Sequence, residues 1–454
     1  MNKLYLLAVS VFLLLSISTT AQETTEKPKE DLFRKTINRG IKIKLNDSGS
    51  SFSKIIIGMQ FWYRNAQLNP GSINKQTGES ISSYQDFATR RARMISYTNI
   101  EDRFYLWVHY GSTNSTSYDN LQRGMFFHDF WGKLRIAKNT YVGGGLHMWS
   151  GLSRYTMVGG LIQMSLDFPV SQFPNVNVSN QLNRQYGAFL QGRLGNFDYV
   201  FSVNQMMMPE TSKFLKTDAE IISANKPNVA FNRRLNSFTY KGYVSYSFLN
   251  KERLSIPFKS MTYHGKKGKI FNVGAGFNFA ADAAGAIENA GDTDVKKYAQ
   301  FIWSADIFYE TPLANKSSLT LYGVYYNANY GPNYLKKVAV MGGYAKGGTS
   351  LNGAGIAEFN FGTGDMVYAS VGYLLPKSVI PGRNGLMPYY SVQYRNFDGL
   401  NQASVQHDFG LNYLIVGNKV KLTAQYSTRP IYGKATKEVD EYKGQFIMQM
   451  QFRI

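Results

Sequence analysis

The chain ends in the stretch Tyr442-Lys-Gly-Gln-Phe-Ile-Met-Gln-Met-Gln-Phe-Arg-Ile454. Every second position is apolar, and these positions are Phe446, Met448, Met450, Phe452 and Ile454. The positions between them carry mainly glutamine and arginine, which gives the period of two that is typical of a β-strand with one polar face. Such a strand suits the wall of a transmembrane β-barrel, where one face contacts lipid and the other faces water. The stretch therefore predicts a closing barrel strand with these five side chains toward lipid.

The same alternation recurs along most of the chain. We expect strands at 52–64, 87–98, 103–110, 125–136, 141–149, 184–193, 197–205, 237–248, 269–280, 299–310, 319–330, 366–375, 388–396, 405–416, 419–427 and 443–454. Each is about ten residues long, the length that a tilted strand needs to cross hydrocarbon. A further segment, 351–361, is rich in Gly and Asn, and we assign it to a loop because such barrels have an even number of strands.

The prediction is an all-β fold, a transmembrane antiparallel β-barrel of about sixteen strands with long extracellular loops and short periplasmic turns. The N-terminus has the composition of a secretory signal peptide, with a basic start, an apolar run and small residues. We therefore expect a signal peptide at 1–21, a periplasmic leader at 22–51 and the barrel at 52–454. No long apolar run that would form a membrane-spanning helix follows the signal peptide, and the chain contains no cysteine for disulfides.

Two connections between the predicted strands are unusual. The loop 150–183 contains an apolar run, Met157–Phe168, that exposure to solvent would not favour. It either folds into the barrel and narrows it, or packs against another subunit. The link 249–268 is long for the end of the barrel at which short turns are expected.

The chain is strongly basic, with a formal net charge of +20. If the polar strand faces line the barrel interior, this excess produces a positive field that favours anions. Toward lipid, a guanidinium would cost about 2–4 kcal/mol near the midplane, so Arg91 and Arg93 should face the interior or the rim. The candidates for the pore lining are Arg91, Arg93, Lys133, Arg135, Arg193, Lys241, Arg395 and Lys421. Alternatively, these charges form ion pairs across the wall, or basic loops contact anionic lipopolysaccharide.

Several stretches resemble the phosphate-selective porin O/P family, and within it the porins of Bacteroidota. They are Gly40-Ile-Lys-Ile43, Arg90-Arg-Ala-Arg-Met94, Gly143-Gly-Gly-Leu-His-Met-Trp-Ser-Gly-Leu-Ser-Arg154, Gly192-Arg-Leu-Gly-Asn-Phe-Asp-Tyr199 and Gly410-Leu-Asn-Tyr-Leu-Ile-Val-Gly-Asn-Lys-Val420. The resemblance covers most of the chain after residue 21. It implies a sixteen-stranded, trimeric outer-membrane channel for anions, with phosphate among its solutes.

These observations predict an outer-membrane porin of a Gram-negative bacterium, a passive diffusion channel for small hydrophilic solutes with a preference for anions. The expected partners are the lipid bilayer, lipopolysaccharide, small anions and further copies of the chain in a trimer. The alternative is a barrel subunit of a larger outer-membrane complex, with a structural or docking role and a closed lumen.

The sequence favours neither an enzyme nor a cofactor or metal site. The five histidines include no pair at the spacing of metal ligands. His407 and Asp408 are adjacent on a predicted strand, so their side chains point to opposite faces and cannot form a catalytic dyad. An exported chain with no basic helix and no RNA-binding motif also makes a nucleic-acid partner unexpected.

Overall fold

The computed structural model describes residues 31–118, 124–149, 151–169, 173–176, 178–179, 183–207, 215–232, 238–254, 258–379 and 384–454. The predicted signal peptide, 1–21, lies outside these residues. The chain divides into two compact units, residues 1–36 and 37–454. A helix, α1, spans Leu32–Arg39. Within the described residues, no helix has the length and apolar character needed to cross a membrane.

Sixteen strands of the second unit form one antiparallel sheet that closes on itself. They are β1 (Phe52–Gln67), β2 (Ser83–Ile100), β3 (Phe104–Thr116), β4 (Phe126–Ala137), β5 (Thr140–His147), β6 (Gln185–Leu194), β7 (Phe197–Gln205), β8 (Phe238–Ser247), β9 (Ile270–Ala286), β10 (Lys296–Pro312), β11 (Ser318–Asn329), β12 (Gly364–Leu374), β13 (Gly385–Phe397), β14 (Ser404–Leu414), β15 (Val420–Tyr432) and β16 (Val439–Arg453). Each strand pairs with the next along the chain, and β16 pairs with β1. The predicted sixteen-stranded antiparallel barrel is confirmed.

The two faces of the sheet follow the alternation of the sequence. On β16, Met448, Met450 and Phe452 are exposed on the outside, whereas Gln449 and Gln451 are buried inside. The two remaining apolar positions predicted to face lipid, at 446 and 454, are partly exposed. The outer wall is therefore apolar, and the interior is lined by a mixture of polar and aromatic side chains.

The seam between the first and last strands leaves no bare edge. Gly58 pairs with Arg453, and Ile57 exchanges backbone hydrogen bonds of 2.9 and 3.3 Å with Ile454. Where β16 ends, a short strand at Ile41–Lys44 takes its place and pairs with the first four residues of β1. This arrangement closes the wall along the length of β1. It avoids an unpaired strand edge, which is costly in lipid and promotes aggregation.

The barrel has two different ends. At the end where the chain enters β1 and leaves β16, which we call the terminus end, most connections are short, such as 101–103 and 138–139. At the opposite loop end, the connections 148–184 and 330–363 are long. The segment expected to be a loop, 351–361, lies in the second of these. Its only regular part belongs to a separate two-stranded sheet that is not part of the barrel wall, which confirms that assignment.

The described residues of the connection 148–184 fold into the barrel, which is one of the two alternatives anticipated. Residues 151–169 of this connection are called here the inserted loop. Ser153 Oγ lies 2.9 Å from the hydroxyl of Tyr326 on β11, and the Met164 carbonyl accepts a 2.9 Å hydrogen bond from Asn412 on β14. The inserted loop therefore crosses the lumen and packs against strands on its far side.

A second connection enters the barrel from the terminus end. Residues 250–254 and 258–264, called here the inserted turn, belong to the connection 248–269 that is the exception to the short turns at this end. The two insertions meet inside the barrel, where Val158 of the inserted loop pairs with Lys259 of the inserted turn in an isolated β-bridge. Together they fill much of the lumen opposite β1, β2 and β3.

Candidate functional site

A cavity of about 770 Å³ follows the inner faces of β1, β2 and β3. At the terminus end its lining includes Lys54 and Asn418, and at the loop end it includes Val340 and Met341 of the connection 330–363. The cavity is thus the part of the lumen that the two insertions leave open. Its lining contains residues from both ends of the barrel.

The charged side chains around this cavity are mostly basic. Six of its lining side chains are basic, namely Lys54, Arg90, Arg91, Arg93, Arg184 and Arg453, and one, Asp167, is acidic. Walls of low dielectric constant focus the field of such a set of like charges into the space between them. The charged lining of the cavity is therefore predominantly positive.

A β-bulge places three arginines of β2 on the inside. Gln60 on β1 pairs with Arg91, but the next residue, Phe61, pairs with Thr89, so Arg90 is the extra residue of the bulge. The bulge shifts the alternation, and Arg90 and Arg91 both face the interior together with Arg93. Unbroken alternation from Arg91 would place Arg90 on the outer face, so Arg90 was not among the candidates from the sequence.

Asp167 at the tip of the inserted loop is held by two of these arginines. Arg90 Nε donates to Asp167 Oδ2 over 2.7 Å, and the Arg91 guanidinium donates to Oδ1 over 2.5 Å. A second donor of Arg91 reaches Gln60 Oε1 at 2.6 Å. Burial raises the pKa of Asp167, but the two guanidiniums outweigh that effect and lower it to about 2. This ion pair fixes the position of the loop against the cavity wall.

The low pKa of Asp167 predicts that its anchor resists acid. A carboxyl group whose pKa is lower in the folded state stabilises the fold at pH values above its pKa in the unfolded state, here 3.8. This contribution is lost as the pH falls through the folded pKa of about 2. The protection factors of the amide hydrogens in residues 151–169 should therefore stay constant from pH 7 to about 4. The variant Asp167→Asn should show lower protection already at pH 7. A fall in protection between pH 6 and 5 in both proteins would instead assign the acid response to another group.

Arg93 differs from its two neighbours in having no acidic partner. It donates to Thr113 Oγ1 at 2.6 Å and to the carbonyls of Ser112 and Ala92. No carboxylate of the described residues lies within 4 Å of its guanidinium. The charge of Arg93 is therefore compensated least among the three and adds most directly to the positive field.

Arg91 and Arg93 are the two sequence candidates that line the cavity. Of the other six, Lys241 donates to the Trp149 carbonyl at 3.2 Å, and Lys421 donates to the Gln163 carbonyl at 2.9 Å. These two lysines face the interior of the barrel, but the connection 148–184 covers them. They hold that connection in place and do not border the open space.

The remaining four candidates also lie on the inner strand faces outside the cavity lining. Lys133 donates to Gln191 at 3.0 Å, and Arg193 forms an ion pair of 2.5 Å with Asp198. The other two are Arg395, which is paired with Glu358 at 3.2 Å, and Arg135, which is half-buried near the terminus end. Alternation identifies the face of a strand, but it does not show which part of that face the insertions cover.

A buried ion pair joins the two insertions. Arg154 of the inserted loop binds both carboxylate oxygens of Glu252 in the inserted turn, at 2.8 and 2.6 Å. The two side chains are 2% and 1% exposed, and the guanidinium stacks 3.6 Å from the centre of the Phe308 ring. Burial raises the pKa of Glu252, but Arg154 and Lys259 outweigh it and lower the pKa to about 2. The pair is therefore ionised, and it holds the inserted loop against the inserted turn.

Among the described residues, no group of three or more His, Asp or Glu side chains is arranged to hold a metal ion. His109 and Asp129 form a buried pair, with Nδ1 2.6 Å from Oδ2. His109 borders the cavity and pairs with a carboxylate already engaged by Arg184. The pair adds to the polar wall of the cavity.

Searches of protein-family models and of curated proteins found no match to this sequence. Solved structures similar to the chain include the outer-membrane channel DcaP of Acinetobacter baumannii, with a TM-score of 0.48, 10% identity and coverage of 90% of this chain and 100% of that one. OmpF of Salmonella typhi, in complex with daunomycin, has a TM-score of 0.48 and 9% identity, covering 89% and 98%. The outer-membrane protein OmpT of Vibrio cholerae, in a trimer form, has a TM-score of 0.46 and 10% identity, covering 89% and 99%. With so few identical residues, these likenesses do not indicate what this chain binds.

Proposed function

We propose that this chain is an outer-membrane porin, a passive diffusion channel that prefers anions. The observation that carries the proposal is the cavity along β1, β2 and β3, whose lining includes six basic side chains and one acidic side chain. An anion entering this space meets a positive field and guanidinium donors, whereas a cation is repelled. The apolar outer wall of the closed barrel supports a location in a lipid bilayer.

The resemblance to the phosphate-selective porin O/P family supports two finer parts of this proposal. Phosphate is one of the anions that the arginines of β2 suit, because guanidiniums bind phosphate oxygens in a forked geometry. The family also suggests a trimer, in which part of the apolar wall contacts neighbouring copies. The basic excess of the chain further suits contact with lipopolysaccharide.

The test of anion preference is the reversal potential of the purified channel in a gradient of potassium chloride. We expect the wild-type protein to pass chloride in preference to potassium. Arg93→Gln should lower the ratio of chloride to potassium permeability by about threefold or more, because it removes the least compensated charge beside the cavity. A preference for potassium in the wild-type channel would refute the proposal.

The matched control for Arg93→Gln is Lys421→Gln. This substitution removes the same charge from the barrel interior, but at a position covered by the connection 148–184. A glutamine there still has an amide donor for the Gln163 carbonyl. The selectivity should change much less than in Arg93→Gln. Equal changes in the two variants would mean that the total charge of the lumen, and not the cavity lining, sets selectivity.

A second candidate function, a docking barrel of a larger complex, is favoured by the insertions that fill much of the lumen from both ends. It predicts negligible conductance of the isolated protein in a planar bilayer. It also predicts that the protein is recovered from the membrane in a stable complex with another protein.

A further inference from the structure

The cavity changes character along its length. From the loop end toward the terminus end, the inward positions of β2 that line it carry Arg91 and Arg93, and then Ile95 and Tyr97. Trp107 on β3 pairs with Tyr97 in register, and their ring centres lie 5.9 Å apart. The basic part of the wall is thus followed directly by an apolar and aromatic part.

The apolar part extends around the cavity. The Phe258 ring of the inserted turn lies 4.7 Å from the Trp107 ring, and Leu161 of the inserted loop occupies the space above Gly58 of β1. Ile56 and Phe258 pack against the buried cluster that contains Ile95. We name five lining residues the apolar collar, namely Ile56, Ile95, Tyr97, Trp107 and Phe258.

Lys54 lies beyond the collar on the terminus side, two residues before Ile56 on the inner face of β1. A solute that crosses the cavity therefore meets guanidiniums, then an apolar ring of side chains, and then a second basic position. Most of the surface of the collar is apolar, so a small inorganic ion loses hydration there and gains few polar partners in return.

We infer that the cavity binds organic anions that carry an apolar body beside the charged group, such as aromatic carboxylates. This inference rests on the proposed anion channel and names the class of anion it prefers. The carboxylate pairs with the arginines of β2, whose forked donors match its two oxygens. The apolar body leaves water and packs against the collar, where aromatic contacts add to the gain from burial.

The probes are benzoate and acetate, which share a carboxylate and differ in the ring. Each is added to the purified channel in a planar bilayer, and the concentration that halves the chloride current is measured. We expect benzoate to act at an about fivefold lower concentration than acetate, the factor that corresponds to one aromatic contact of about 1 kcal/mol. Phosphate, which has no apolar surface, should require a higher concentration than benzoate. Equal values for benzoate and acetate would overturn the inference and leave the anion channel intact.

Phe258→Ser tests the collar directly, because it removes one of the aromatic rings that line the cavity. It should bring the half-blocking concentration of benzoate close to that of acetate. Phe248→Ser is the matched control, since Phe248 lies in the same connection but is exposed and does not line the cavity. It should leave the preference for benzoate unchanged. A benzoate preference that survives Phe258→Ser would place the apolar contact elsewhere and refute the role of the collar.

Equilibrium dialysis of labelled benzoate and acetate against the purified barrel measures the same preference without current. A tighter binding of benzoate that is lost in Phe258→Ser supports the collar even if the isolated barrel conducts no anions. Absence of a benzoate preference in dialysis refutes the inference. A barrel that binds benzoate but carries no anion current would refute the proposed channel alone.

Discussion

Deletion of residues 452–454 is expected to abolish assembly of the barrel. The deletion removes the pairs Met59–Phe452 and Gly58–Arg453, and both backbone hydrogen bonds between Ile57 and Ile454. In lipid each unsatisfied backbone group costs several kcal/mol, roughly 3 or more, because no water replaces the lost partner. The bare edge of β1 would also invite pairing with other chains. The expected result is no heat-modifiable barrel in the membrane fraction on gel electrophoresis.

The control for this deletion is Ile454→Ala. It keeps the chain length and the backbone hydrogen bonds to Ile57, and it removes only part of one partly exposed side chain. This variant should assemble like the wild-type protein. Normal assembly of the deletion would show that the seam between β1 and β16 closes without its last three residues.

Glu252→Gln is expected to release the inserted loop. The substitution leaves Arg154 buried without its carboxylate partner, and breaking one side of a buried ion pair costs about 3–5 kcal/mol. Amide hydrogen exchange in the inserted loop should therefore become faster by a factor of about 100 or more. Because the loop occupies much of the lumen, the single-channel conductance should rise as well.

Two further variants distinguish loss of the Arg154–Glu252 ion pair from loss of a negative charge. Glu288→Gln breaks an ion pair with Lys296 whose side chains are 58% and 56% exposed. It should change exchange and conductance little, because water and salt screen an exposed pair. The double variant Arg154→Met with Glu252→Leu replaces the buried pair by apolar side chains and should restore slow exchange. If Glu252→Gln behaved like Glu288→Gln, the insertions would be held together by packing alone.

Most of the barrel could be predicted from the sequence because a single physical rule governs every strand. A side chain facing lipid must be apolar, and its neighbours along the strand face the other way, so β16 and the fifteen strands before it show the same period. The limit of the rule is visible at Arg90. A bulge changes which face a residue occupies without changing composition, although the apolar positions shift from odd at Phe87 to even at Met94 on the same strand.

The site itself was less predictable, because the segments that form much of it do not show the alternation of apolar and polar residues that identifies a strand. Asp167, Gly160 and Leu161 border the cavity only because the inserted loop crosses the lumen, and the contacts that bring it there join distant parts of the chain. The apolar run Met157–Phe168 indicated that this loop was not exposed, but not where it lies. The inserted turn has no comparable apolar run, and only its length is unusual, so the sequence does not indicate that it lies against Arg154 inside the barrel.

The seam of the barrel has a consequence for the order in which the molecule folds. Gln60 and Gln451 face each other across it, with a hydrogen bond of 2.7 Å between side chains 391 positions apart. Closing so large a loop costs more entropy than forming any hairpin between successive strands, so we expect closure to be the last step of assembly. The pairing of Ile41–Lys44 with β1 is local in sequence and is available from the beginning. In the growing sheet, the first residues of β1 can therefore be paired before β1 and β16 meet.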